Sequence, residues 1–305
     1  MQKFIGRRLV QAVFVVFGVS LVVFFVIRLS GDPSYLMLPP NATDEDRVRF
    51  VRELGLDRPL PVQYAVFVRR AVVGDFGRSL RYNQPALRLV LERLPATLEL
   101  AFAALAVSLA VAIPSGVISA VRRNTSMDNL IMLGALFGQS MPVFWLGILL
   151  ILVFSVRLEI FPTSGRGTFA HLVLPAVTLG LYSTARVTRL VRAGMLEVIG
   201  QDYVRTAWAK GLASAVVIYK HALRNTLIPV VTIVGLELGT LLGGAVITET
   251  VFAWPGIGRL AVTAIFQRDY PVVQAAVCVT ALVFVVSNLL VDVVYGWLDP
   301  RIRIA

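Results

Sequence analysis

Residues 201–212 read QDYVRTAWAKGL. The stretch carries Asp202, Arg205 and Lys210, two aromatic residues and a glycine, in a chain whose other long segments are mostly Val, Leu, Ile, Phe and Ala. If residues 201–210 form a helix, Tyr203, Thr206, Ala207 and Lys210 fall on one face, three or four residues apart. That face has small residues at its centre and polar ones at its edges, which suits docking into a groove on a partner. Gly211 then follows as a left-handed C-terminal residue, a position where a Cβ would be costly. After it, ASAVVIYKHALRN resumes as a second helix. An amphipathic basic segment of this kind can also lie flat among lipid headgroups. The segments around it bear on which use applies.

The chain has 305 residues, is 57% hydrophobic and has a mean hydropathy of +0.78. That is too apolar for an ordinary soluble domain. Apolar runs near 20 residues, long enough for a bilayer core of about 30 Å, recur along it. They predict an all-α polytopic membrane protein with six transmembrane helices, at roughly 9–29, 97–120, 130–156, 171–191, 225–248 and 273–297. The basic opening MQKFIGRRL resembles the head of a signal peptide. Its apolar segment, Leu9 to Ile27, is too long for an h-region and is read as a retained first span. The net charge of +11 fits basic membrane loops, and no soluble basic domain is present to bind nucleic acid.

Counting Arg and Lys orients the chain. One side holds Lys3, Arg7 and Arg8, then Arg122 and Arg123, then the cluster from Arg186 to Arg224, then Arg301 and Arg303. The short loops of the other side hold only Arg157, Arg166, Arg259 and Arg268. The long segment 31–96 carries ten arginines, but eight acids nearly cancel them, and loops of this length obey the rule poorly. Residues 1–30 are therefore a cytoplasmic N-terminus with the first span, and 31–96 an extracytoplasmic module. Residues 97–300 form a five-helix core with the charged loop at 197–224, and 301–305 a cytoplasmic tail. Within the outer module, Gly31-Asp32-Pro33 and Gly74-Asp75 mark turns, and a helix is expected to start at Thr43 and stop near Gly55. Cys278 stands alone, which excludes an internal disulfide, and His171 and His221 lie fifty residues apart with no ligand-like neighbours. No metal centre is expected, and neither is an enzyme active site. No repeat of 20–50 residues supports the inverted-repeat plan of many secondary transporters.

RTAWAKGL resembles the cytoplasmic EAA loop of ABC importer permeases, whose pattern runs Glu-Ala-Ala-x3-Gly-x9-Ile-x-Leu-Pro. Arg205-Thr206-Ala207 occupies the Glu-Ala-Ala positions and Gly211 the glycine, while His221-Ala222-Leu223-Arg224 departs from Ile-x-Leu-Pro. The departure is shared by the peptide/nickel permeases, and in particular by B-type subunits of the dipeptide/oligopeptide kind. The resemblance extends through LGLDRPLPVQY, GDFGRSL, RLPATLEL, HLVLPAVTLGL, HALRNTLIPVVT and GGAVITETVFAWPGIGRL. It implies an ABC importer permease fold with an EAA coupling loop between helices four and five, in a bacterial inner membrane. The implied partners are a second permease in a heterodimer, two cytoplasmic ATPases that carry ATP and Mg, and an extracytoplasmic substrate-binding protein. Substrates would be di- or oligopeptides, with nickel chelates or glutathione as variants. The chain has no G-x-x-x-x-G-K-[ST] phosphate loop of its own. The coupling residues implied are Asp202, Tyr203, Arg205, Thr206, Ala207, Lys210 and Gly211.

Ionisable groups at membrane depth are expensive, so each is a candidate. Glu237, mid-span in TIVGLELGTLLGGAV, either faces the translocation pathway or a partner, or is a protonated or paired structural Glu that holds two helices together. An ion-coupled secondary transporter would use Glu237 as its cation site. Asn288, with Ser287, could line a path, and Glu99 and Asp292 are expected at the interface. Gly235, Gly239 and Gly243, every four residues, allow close approach of a second subunit or of another helix in the same chain. Trp254, Pro255 and Gly256 open the outer connection between spans five and six. In the family resembled, that region lies by the external gate and the binding protein, and Trp254 can equally be an interfacial anchor.

Overall fold

The computed structural model describes residues 2–29 and 57–298, with a few isolated positions between 43 and 52. The turn at Gly31-Asp32-Pro33, most of the helix expected from Thr43 to Gly55, and the tail 301–305 lie outside the described residues. Among the described residues the elements are helices: α1 (Gln2–Leu29), α2 (Leu60–Val72), α3 (Ala86–Val121), α4 (Ser126–Ser140) and α5 (Val143–Leu150), then α6 (Phe169–Ile199), α7 (Asp202–Ala209), α8 (Leu223–Val251), α9 (Ile257–Phe266) and α10 (Tyr270–Leu298). Two π-helical turns extend this set, Ile151–Arg157 after α5 and Val216–Ala222 before α8. The fold is all-α.

Ala86–Val121, Pro229–Val251 and Tyr270–Val291 are each long and apolar enough to cross a bilayer, and Val10–Val26 is a shorter apolar helix. The expected third span, 130–156, is not one helix. It breaks at Met141-Pro142 into α4 and α5 with its π turn, which bend by 104°. The cause is local: a proline disfavours the α conformation of the residue before it, and Met141 is extended, with ψ 131°. The expected fourth span lies inside α6, whose second half carries Arg186, Arg189 and Arg192.

The chain divides into two compact units. One comprises Met1–Ala96 with Pro255–Val286, the other Thr97–Trp254 with Ser287–Ala305. In the first, Phe24, Tyr64 and Phe67 pack their rings together, and Ser20 and Tyr64 share a hydrogen bond of 2.8 Å, fixing α2 against α1. Gly74 has φ +80° where the chain leaves α2, as the Gly74-Asp75 turn requires. Val90, Val272, Ala275 and Ala276 form the apolar centre of this unit. The buried Asp269 carboxylate accepts from the Ser79 hydroxyl.

In the second unit, close approach of α3 and α6 depends on missing side chains. A Cβ on Gly180 would lie 2.5 Å from the Ala104 carbonyl oxygen, and one on Gly116 2.7 Å from Val191 Cβ. Around the second contact, Ala112, Val117, Val187, Val191 and Met195 close the core with Ala222 and Val230. The hydroxyls of Thr178, Thr184 and Thr188 donate to the carbonyls one turn back, so these polar groups sit in the packed helix without an unmet hydrogen bond.

Candidate functional site: the charged insert and the arginine face of α6

The insert folds as a short helix held by its apolar side. Val204 and Ala207 are three residues apart, so they share a face, and both are buried with Val217 from the following π turn. This corrects the expected docking face. Ala207, placed at its centre from sequence, is 5% exposed and anchors the helix to the chain. Tyr203, Thr206 and Lys210 remain exposed, as do Asp202 and Arg205, which approach to 3.7 Å. Trp208, outside the expected set, is exposed as well. Asp202 stands in the first turn, where a negative charge complements the helix dipole.

Gly211 ends this element. Its φ is +72°, and the space where a Cβ would stand holds no atom within 4 Å. The left-handed glycine expected from sequence is therefore present for conformational reasons and not for lack of room in the chain. The Tyr203 hydroxyl accepts from Asn225 Nδ2 at 2.7 Å, which ties α7 to the start of α8.

Arg186, Arg189 and Arg192 recur every three residues along one side of α6; Arg189 and Arg192 hold the two ends of α4, and Arg186 holds α8. Arg192 makes two parallel bonds of 2.8 Å to the Asp128 carboxylate, at the start of α4. Ser119 Oγ and the Asn124 N–H also donate to Asp128. The Arg192 guanidinium first, then these two donors, hold the Asp128 carboxyl well below the usual carboxylate range. The same contact raises the Arg192 guanidinium. Arg189 donates to Gln139 Oε1 at 2.6 Å. Arg186 Nη1 lies 2.7 Å from Glu237 Oε1, and Ser183 Oγ donates to the other carboxylate oxygen at 2.5 Å.

Glu237 is thus 1% exposed and paired across α6 and α8. The geometry shows a buried, paired carboxylate between α6 and α8. Sequence counting treated the three arginines only as markers of one membrane side. Their spacing of three was the signal that they act as a stripe, and Thr125-x-x-Asp128 resembled a helix start: Thr125 does cap α4. Nothing in sequence named the partner of each.

The glycine row separates. A Cβ on Gly235 would fall 2.2 Å from Val291 Cγ1, so this position serves packing of α8 on α10 within the chain. Gly239 is buried, whereas Gly243 is exposed with nothing within 4 Å of a Cβ. Of the three, Gly243 is the one with an open face. Asn288 is half-buried on α10.

Trp254 is 0% exposed and so sits here as a core residue, not at the surface where an interfacial anchor would stand. Its N–H donates to the Glu249 carbonyl at 2.8 Å, and the Arg166 guanidinium lies 5.9 Å from its ring centre. Pro255 is half-buried and Gly256 buried. Arg166 also pairs with Glu99 at 2.5 Å, and both are partly exposed. Glu249, fully buried, accepts from Thr97 at 2.6 Å. Among the described residues no group of His, Cys, Asp or Glu side chains could hold a metal ion.

Residues 112–304 match the family described as "Binding-protein-dependent transport system inner membrane component", and residues 1–101 match its N-terminal companion. The chain is 41% identical to the dipeptide transport system permease protein DppB of Escherichia coli K12, over 99% of each chain. It is 40% identical to the oligopeptide transport system permease protein AppB of Bacillus subtilis, over 99% of this chain and 100% of that one. It is 43% identical to the glutathione transport system permease protein GsiC of Escherichia coli K12, over 99% of each. Among solved structures, an inward-facing form of the MetNI methionine ABC transporter superposes with a TM-score of 0.60 at 18% identity, covering 69% of this chain and 96% of that one. The last likeness shows the fold alone.

Proposed function

The chain belongs to the family of binding-protein-dependent transport system inner membrane components, and from that premise we propose that it is one of two permease subunits of an ATP-driven importer for di- or oligopeptides. Its similarity to dipeptide, oligopeptide and glutathione permeases supports a peptide-like solute. A nickel chelate is a narrower variant of the same reading. ATP and Mg belong to two separate cytoplasmic ATPases, and substrate arrives on an extracytoplasmic binding protein. α1, α3, the broken α4–α5 pair, α6, α8 and α10 serve as the six spans, with 31–96 outside and the loop 197–224 inside.

The carrying observation is how α7 is mounted. Val204 and Ala207 fasten it to the chain, and Tyr203, Thr206, Trp208 and Lys210 face away from its core. A helix fixed on one side and polar-aromatic on the other can pass a push from an ATPase cleft into α6 and α8. Gly243 offers the contact with the second permease. An ion-coupled transporter using Glu237 finds no support in the pairing of that carboxylate with Arg186.

The tagged chain should be drawn from native membranes in mild detergent and its companions identified by mass spectrometry. A second permease, Walker-motif ATPases and a secreted binding protein are expected, and recovery of this chain alone would defeat the proposal. Gly211→Asp then tests coupling. The Cβ has room, and Asp is among the residues that enter the left-handed conformation at a cost of about 1 kcal/mol, so assembly should persist while uptake in proteoliposomes separates from ATP hydrolysis; normal uptake by that variant would sink the coupling role.

A further inference from the structure

Between α7 and the start of α8 lies an open cavity of about 610 Å³. At one end it is lined by Lys220, His221 and Arg224, with Asn225 and the Tyr203 hydroxyl, which can donate, beside them. Among the described residues no carboxylate lines it. Lys220 and Arg224 are exposed and have no ion-pair partner among the described residues. The nearby arginines of α6 behave differently, each being held by a partner in the chain. At the other end the cavity is lined by Leu227 and Val231. Val231 already belongs to the apolar stretch Pro229–Val251.

The cavity thus joins unneutralised cations to an apolar wall at the point where α8 becomes apolar enough for the bilayer. Two cations four residues apart repel each other, and an anion between them removes that repulsion. A free phosphate would use the basic end only. A lipid uses both ends, its phosphate among the donors and an acyl chain along Leu227 and Val231. Basic pockets beside spans on the cytoplasmic side are suited to such headgroups. We propose that this cavity is a binding site for one anionic phospholipid of the inner leaflet, read by Lys220 and Arg224 with the Tyr203 hydroxyl, itself held by Asn225, as a neutral donor. The site rests on the placement of α8 as a span that begins at the cytoplasmic face.

The test uses the full chain, purified with whatever subunits accompany it, delipidated and analysed by native mass spectrometry. Phosphatidylglycerol is added, with phosphatidylethanolamine as the zwitterionic control. One phosphatidylglycerol should be retained per chain in preference to the control. Lys220→Gln with Arg224→Gln should weaken retention about twenty- to thirtyfold, from about 1 kcal/mol per cation near a membrane surface. Lys220→Arg with Arg224→Lys should restore it, which a folding defect would not. Arg123→Gln, exposed and outside the cavity, should leave it unchanged.

Equal retention of the two lipids, no loss in the double Gln variant, or equal loss in Arg123→Gln would overturn the site. Displacement of the lipid by millimolar inorganic phosphate would make it a free-anion site and overturn the lipid assignment. Labelling of Lys220→Cys by an impermeant reagent from the cytoplasmic side checks the placement of α8 separately from lipid binding. The transport proposal is read by uptake and so stands or falls apart from this site.

Discussion

The Glu237–Arg186 pair allows an asymmetric prediction, because its members differ in access to water. Glu237 is 1% exposed and Arg186 50%. In Glu237→Gln the freed guanidinium can turn to solvent, and the amide oxygen can still accept from Ser183. A charged hydrogen bond contributes about 1.5–3 kcal/mol, and the half-exposed arginine lowers that, so we expect a loss of about 1–2 kcal/mol. In Arg186→Ala the buried carboxylate keeps only its bond from Ser183. An uncompensated buried charge is costlier, of the order of 3 kcal/mol. The double variant Arg186→Ala with Glu237→Gln removes that orphaned charge. It should therefore be more stable than Arg186→Ala alone. Thermal unfolding of the purified protein, followed by tryptophan fluorescence, gives the order: wild type, Glu237→Gln, double variant, Arg186→Ala. If Arg186→Ala proved no worse than Glu237→Gln, or if the second substitution rescued nothing, the burial argument would be wrong. Uptake is the second readout. Glu237→Gln should keep ATP-driven uptake, whereas loss of uptake at unchanged stability would return Glu237 to the pathway.

Four further outcomes follow from the structure. Gly235→Ala, whose Cβ would strike Val291, should destabilise the chain by about 1–3 kcal/mol, while Gly243→Ala should be neutral or stabilising by up to about 1 kcal/mol; denaturant or thermal unfolding separates them. Gly243→Leu should in turn reduce recovery of the second permease in a pull-down without lowering the unfolding temperature. Trp254→Ala should cost about 3–5 kcal/mol through the cavity it leaves, measured by unfolding, with no selective loss of binding-protein docking at matched amounts of folded protein. Asp128 has a depressed carboxyl in the folded chain, so its contribution is complete above the unfolded pKa, near 3.8, and is lost as pH falls from there toward the folded value. The stability gap between wild type and Asp128→Asn should therefore stay constant from about pH 8 to pH 5 and narrow below about pH 4. A gap already closing at about pH 6 would show that Asp128 is not held ionised by Arg192.

Hydrophobic run length determines that this chain is helical and suited to a membrane, because each apolar stretch must satisfy its own backbone groups where no water can. The insert around Asp202 and Arg205, with Gly211 behind it, was legible for a similar reason: local propensity and a left-handed turn leave marks within a few residues. Pro142 was equally visible, and weighing its effect on Met141 would have broken the expected third span. Long-range partners leave no such local mark. Whether Glu237 met water or Arg186, whether Gly235 met Val291 or another chain, and whether Trp254 stood at a surface or in a core all depended on residues tens of positions away. Periodicity shows which residues share a face, as with Val204 and Ala207 or the three arginines of α6, but not what that face touches. Only packing decides that, since the separation of two helices is set by the side chains they do or do not carry at the crossing, as at Gly180 and Ala104.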